Sequence, residues 1–302
     1  VFVRAGQWLS EFNQEEMVSS SAQQFAERSI VNQYFAVKWV QGVELGITQD
    51  WWNMWLSFND GGGNRNIQVI QTSNLVEWAA TLRSEIKLAG TWVQQRAYQG
   101  WIGSEFGAML GAGLNWQRGT GVQGIRNTVG NGTIPGAPGG GEQASLLTYT
   151  ADVGLRGSGW SANVEGFGNV LYGFAPTAML PTQPTSLGVV VQGGVFLTEQ
   201  LELAARYEGL WVSHGIANAA APHALNNQTL NIVTAGFNYF FSRNQCKFTL
   251  DAGYAFNAVR FSSGLYGQGL SEADWRSTLN AATASGGGQG EVVVRTQMQL
   301  MF

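Results

Sequence analysis

Between Leu75 and Leu88 the sequence changes polarity at nearly every residue. Val76, Trp78, Ala80, Leu82, Ile86 and Leu88 occupy one side of the alternation, and Glu77, Thr81, Arg83, Glu85 and Lys87 the other. Successive side chains of a β-strand point to opposite faces, so this stretch reads as a strand with one apolar and one charged face. The same period of two returns along the chain. From Ser104 to Gln117, Phe106, Ala108, Leu110, Ala112, Leu114 and Trp116 oppose Glu105, Gly107, Gly111, Gly113, Asn115 and Gln117. The chain also ends on it: Val292, Val294, Met298, Leu300 and Phe302 face away from Glu291, Arg295, Gln297 and Gln299.

About twelve such segments are readable, and they predict an all-β chain. They are Val1–Leu9, Val37–Thr48, Trp51–Asn59, Leu75–Leu88, Ser104–Gln117, Leu146–Arg156, Ser161–Tyr172, Gly188–Leu197, Leu201–Val212, Leu230–Phe241, Lys247–Phe261 and Glu291–Phe302. The connections mostly alternate short and long, counted back from the C-terminus. Antiparallel up-and-down transmembrane β-barrels have this rhythm, with tight turns at one membrane face and long loops at the other. The Trp-rich connection from Ala89 to Ile102 fits neither class. Residues 10–36 form the longest early connection; Ser19, Ser20 and Ser21 are placed to cap a helix running from Ala22 to Phe35, anchored loosely by Phe25, Ile30 and Phe35.

A strand's apolar face must meet either a protein core or lipid. Charged residues are 12% of the 302-residue chain, half of the ~25% usual in soluble proteins. No run approaches the ~18 apolar residues of a transmembrane helix. Alternate-residue burial in lipid reconciles these facts. The segments run to ten residues and more, enough to cross a bilayer with tilt, where soluble strands average about 5–6. Their apolar faces end in Trp52, Trp78, Trp116, Trp211, Tyr239, Phe241 and Phe302, as interface girdles do. The opposite faces carry Glu44, Glu77, Glu85, Glu105, Asp152, Glu165, Glu202, Glu208 and Asp251 against Arg4, Arg83, Lys87, Arg156, Arg206 and Arg295. This predicts a mixed, mildly acidic, water-filled lumen. Net charge is −4 and the pI about 5.3, which argues against nucleic acid as a partner.

Catalytic and cofactor signals are weak. Gly119-Thr-Gly-Val-Gln-Gly124 matches GxGxxG, but no helix or βαβ unit follows to hold a phosphate. His214 and His223 share one loop and make no metal site by themselves. Ser213 and His214 are adjacent at a strand end and point apart, with no third partner or oxyanion hole evident. The lone Cys246 excludes an internal disulfide. The reading is therefore not an enzyme, with no cofactor and no metal.

The run Gly6-Gln7, Glu15-Glu16, Ser19-Ser20, Phe25-Ala-Glu-Arg-Ser29, Asn32, Phe35 and Gly42-Val-Glu-Leu45 resembles the phosphate-selective porin O/P family of bacterial outer membranes, as does the terminal VVVRTQMQLMF. Members of that family are typically sixteen-stranded trimeric porins whose third outer loop folds into the lumen. The resemblance implies a homotrimer, two hairpins before Val1, and residues 10–36 as the pore-constricting loop of a single barrel domain spanning 1–302. The sequence departs from the family in its charges: residues 10–36 hold no lysine, only Arg28, beside Glu11, Glu15, Glu16 and Glu27. A cation row that would concentrate anions is absent, so phosphate specificity is not expected.

The function expected is an integral outer-membrane porin, in contact with lipid, passing small hydrophilic solutes with weak cation preference or none. Glu15, Glu16, Glu27 and Arg28 would sit at the constriction, with Glu27-Arg28 serving either as a charge facing solutes or as a tether. The alternative is a plugged structural or adhesive barrel whose long loops bind a partner.

Overall fold

The computed structural model describes residues 1–62, 76–120, 143–172, 185–213, 228–257 and 290–301. Twelve strands make one sheet: β1 (Phe2–Leu9), β2 (Trp39–Thr48), β3 (Trp52–Asn59), β4 (Val76–Ala89), β5 (Gly107–Thr120), β6 (Gln143–Gly157), β7 (Trp160–Tyr172), β8 (Thr185–Phe196), β9 (Leu201–Ser213), β10 (Gln228–Ser242), β11 (Cys246–Ala255) and β12 (Glu291–Leu300). Each pairs antiparallel with the next, in chain order. This is the up-and-down meander expected from the alternation. The sheet is not closed: among the described residues β1 and β12 are its edges and do not pair with each other.

Its polarity is inverted relative to a soluble protein. Val43, Leu56, Phe58, Leu114, Val164, Val191 and Val294 stand exposed on the convex face, whereas Arg83, Glu85, Arg156, Glu202 and Lys247 are wholly buried on the concave one. Register explains why the charges cluster. Glu85 pairs with Gly111, Gly111 with Asp152, and Asp152 with Glu165, so three carboxylates from neighbouring strands fall in one inward row. The outward aromatics collect at two levels. Trp52, Tyr239 and Phe241 lie at the ends of their strands nearest the short turns. Trp78 and Trp116 lie toward the opposite end, edge to face at 4.7 Å, with Phe58 stacked on Trp78 at 5.9 Å, and Trp211 is near the same end of β9. Phe302 lies outside the described residues.

Residues 10–38, between β1 and β2, enter the concave side. The single capped helix expected there is instead three short pieces: α1 (Gln14–Met17), a 3-10 turn at Ser20–Ala22, and α2 (Ile30–Phe35). The break has a local cause. Ser19 caps only the 3-10 turn, and Ser29 takes the Asn32 N–H at 2.9 Å, starting a separate helix. The anchoring is not loose, since Phe25, Ile30 and Phe35 are all buried. Tyr34 and Phe35 of α2 join inward residues Leu146, Phe167, Leu171, Val190, Leu210 and Ile232 in the main apolar cluster. The protein's core therefore lies inside the sheet, toward the long-loop end, where the sequence predicted water.

The β4–β5 connection carries α3 (Trp92–Gln95), started by a capping box between Thr91 and Gln94. It is the long exception among the turn-side connections. β11 ends at Ala255, short of the predicted Phe261; residues 258–261, like His214, His223 and the stretch 121–124 of the GxGxxG match, lie outside the described residues.

Candidate functional site

The inward charges were predicted to line water. In the structure five of them, joined by Lys247, instead hold the backbone of residues 10–38. Wall carboxylates accept its N–H groups. Glu165 takes Gln14 N at 2.8 Å and Glu15 N at 3.3 Å, Asp251 takes Ala26 N at 2.9 Å, and Glu208 takes Ile30 N at 2.6 Å. Wall cations donate to its carbonyls. Arg83 Nη1 reaches Phe12 O at 3.2 Å, Arg206 Nη1 reaches Glu27 O at 3.0 Å, and Lys247 Nζ binds Gln23 O. A segment without a regular ladder has orphan backbone groups, and buried orphans are costly. Here charged side chains satisfy them, with bonds roughly twice as strong as neutral ones.

The wall charges are also paired with one another. Arg83 forks onto Asp152 (2.9 and 3.1 Å) and reaches Glu85 at 3.0 Å. Arg206 meets Glu208 at 2.8 Å, and Arg295 meets Asp251 at 2.7 Å. Glycine makes the closest approach possible: at Gly113 any Cβ would run into the Phe12 carbonyl.

Within the inserted segment, Glu15 is enclosed and accepts from Ser29 N at 2.7 Å and Ser29 Oγ at 2.6 Å. Burial nonetheless raises its pKa above the ordinary carboxylate value, outweighing the Arg206 guanidinium and the Ser29 donors. Glu16 accepts from Asn32 Nδ2 at 2.8 Å. Arg28 donates to the Glu15 and Val18 carbonyls at 3.2 and 3.0 Å, so the Glu27-Arg28 pair acts as a tether of the segment to itself and to β9.

The remaining predicted residues separate. Arg4 lies between Glu11 and Glu44 (2.9 Å to Glu44), and its side chain is 34% exposed. Arg156 is buried and donates to Ala97 O at 2.8 Å. Lys87 is half-buried over the Trp92 ring. Two positions correct the prediction. Glu105 is exposed in the connection before β5, which begins at Gly107. Glu77 is exposed beside a register shift between Val76 and Trp78, where the alternation loses its phase.

Sequence reasoning missed a group from the β4–β5 connection. Arg96 Nη1 bonds Glu85 at 3.0 Å, Gln14 Nε2 donates to Gln95 O at 2.6 Å, and Gln99 Nε2 donates to Gln23 O at 3.2 Å. No period marks these residues, so no pattern could have assigned them a face. Lys247 was within reach, since it shares inward parity with Thr249 and Asp251.

An exposed apolar wall around a polar, hydrogen-bonded interior is stable in lipid, and strands that span lipid belong to barrels with short turns at one face and long loops at the other. The chain is an integral β-barrel protein of the outer membrane. No family model and no curated protein matches the sequence. Similar solved structures include outer-membrane expressed OmpT of Vibrio cholerae, with a TM-score of 0.47 and 13% identity over 88% of this chain and 70% of that one. A trimer form of in-vitro folded OmpT from Vibrio cholerae has a TM-score of 0.45 and 14% identity over 88% and 70%. A Pseudomonas aeruginosa FadL homologue has a TM-score of 0.30 and 12% identity over 84% and 69%. At these scores the likeness carries no residue or activity across, and the assignment rests on the inverted polarity.

One reading from the sequence is corrected. The exclusion of an enzyme does not stand. It was argued from a GxGxxG match, two histidines, the Ser213-His214 pair and a lone cysteine, whereas the interior brings Asp152, Glu165, Glu15 and Glu208 together, and carboxylates also serve acid–base chemistry. No reaction is assigned to these groups.

Proposed function

We propose that this protein is a porin-like channel for passive diffusion of small hydrophilic solutes, with residues 10–36 as its constriction. The observation that supports this is the inserted segment itself, bound from β4, β7, β9 and β11 by charged side chains that fix its backbone across the interior. Because wall charges are engaged in that attachment or paired with one another, few charges face solutes. Those only partly buried include Arg4 and Glu11, which pair with each other, Lys87 and Arg96 toward the turn side, and Glu27 and Arg28 on the segment. Cations and anions mixed in this way, several of them paired, give little ion preference. Trimeric assembly of this chain is part of the proposal.

Conductance in planar bilayers tests it. A steady current with a reversal potential near zero under a salt gradient is expected, and strong anion preference refutes it. A second reading, a plugged structural or adhesive barrel, is favoured by the burial of Arg83, Glu85, Arg156, Glu202 and Lys247 under the inserts. That reading predicts no steady current.

A further inference from the structure

Two connections enter the interior from opposite ends. Residues 10–38 come from the long-loop end, and their tip, Ser19–Gln23, reaches the turn-side mouth, where Ser21 O accepts from Gln299 Nε2 of β12 at 3.3 Å. Residues 90–106 come from the turn side and cross that mouth. They leave β4 at Ala89, and Trp101 then packs against Phe196 of β8 at 5.0 Å and Phe240 of β10 at 4.8 Å, before the chain returns to β5. The crossing is fastened along its length. Thr91 caps α3, Arg156 holds the Ala97 carbonyl, and Arg243, with a positive φ of 41°, lays its guanidinium over the Trp101 ring at 5.4 Å.

The two inserts meet in a seam. Tyr98 N donates to Ala22 O at 3.2 Å, Gln99 Nε2 to Gln23 O at 3.2 Å, and Gln14 Nε2 to Gln95 O at 2.6 Å. Val18, Ala22 and Tyr98 bury a small apolar cluster at the joint, with Ala97 against it. On the β11 and β12 side of the crossing a cavity of about 690 Å³ stays open, lined by Ser21, Gln99, Trp101, Arg243, Asn244 and Met301 among others.

We propose that residues 90–106 form a second constriction at the turn-side mouth, and that solutes leave through the cavity between this crossing and the β10–β11 turn. The inference rests on the channel reading above. The crossing runs from β4 to β10 and is joined to the β10–β11 turn where Asn244 Nδ2 donates to Gln99 Oε1 at 3.3 Å, with the cavity beside that bond. Its rim mixes amides, hydroxyls and the Arg243 guanidinium with Val93, Ile102, Trp101 and Met301, a lining that admits small polar solutes without selecting them by charge.

The full chain, carrying Cys246→Ser so that no native thiol reacts, is measured in planar bilayers. Replacing residues 92–103 by a two-residue turn is expected to raise single-channel conductance about twofold or more. If that variant does not fold, Ser21→Cys on the same background is labelled with a methanethiosulfonate reagent. Labelling, verified by mass, is expected to lower the current. A conducting parent protein whose current ignores both changes overturns the second constriction alone. A parent that passes no current overturns the channel reading and this inference with it.

Discussion

Arg83 is the strongest single test of how the interior is held. Its guanidinium is fully buried, forks onto Asp152 at 2.9 and 3.1 Å, touches Glu85 at 3.0 Å, and donates to the Phe12 carbonyl at 3.2 Å. Arg83→Met keeps much of the volume and removes the charge. Asp152 then loses its bidentate partner, while Glu85 keeps Arg96 at 3.0 Å. Breaking a buried pair by deleting one partner costs about 3–5 kcal/mol, chiefly because the other charge stays buried and uncompensated. Asp152→Asn in the same protein removes that stranded charge, so the double variant is expected to recover about 2 kcal/mol, a coupling of the size seen between residues in one network. The assay is urea unfolding from lipid vesicles followed by tryptophan fluorescence, for which the chain has 12 indoles. Stability of Arg83→Met within about 1 kcal/mol of the parent, or simple additivity of the two substitutions, would refute this account of the interior.

Three further outcomes are expected. Gly113→Val drives a side chain into the Phe12 carbonyl and should destabilise by about 1–3 kcal/mol and change the conductance, whereas Gly166→Ala, whose added Cβ would meet nothing nearer than Ala151 O at 3.9 Å, should leave the current unchanged; equal currents in both and the parent would argue against close packing of the insert. Leu114→Arg, on the outward face of β5, should cost about 2–4 kcal/mol if it lies at mid-bilayer depth, and no loss in vesicle unfolding would contradict a lipid-facing wall. Glu15 has its pKa raised in the fold, so its share of stability is present below the unfolded carboxylate value and is lost as pH climbs through the raised one. Arg206, Glu208 and Arg28 surround it. Glu15→Gln should therefore flatten the decline in stability on going from acid toward neutral pH, and an unchanged pH profile would reject that assignment.

The sheet was legible because its signal is local. A period of two along Val76–Leu88 or Gly107–Trp116 follows from the pleat of one strand, whatever its neighbours do. In the structure Arg83, Glu85, Asp152, Glu165, Arg206, Glu208 and Asp251 share the buried inner face, where their parity along the strands puts them. It failed at Glu77, where a register shift changes the phase, and at Glu105, which precedes its strand. It also misled about what inward means. Phe167, Val190, Leu210 and Ile232 face in as well, and they pack on α2 rather than on water.

The chain's residues alone settled that it is a β meander with one face for lipid and one for polar groups, since alternation and low charge density are properties of neighbouring positions. Only the tertiary structure decided what fills the inside. Whether Glu165 meets water or the N–H of Gln14, 151 positions away, depends on where an aperiodic connection comes to rest. That resting place is set by charges from many strands acting together, and such long-range pairing leaves no mark in the order of residues along any one of them.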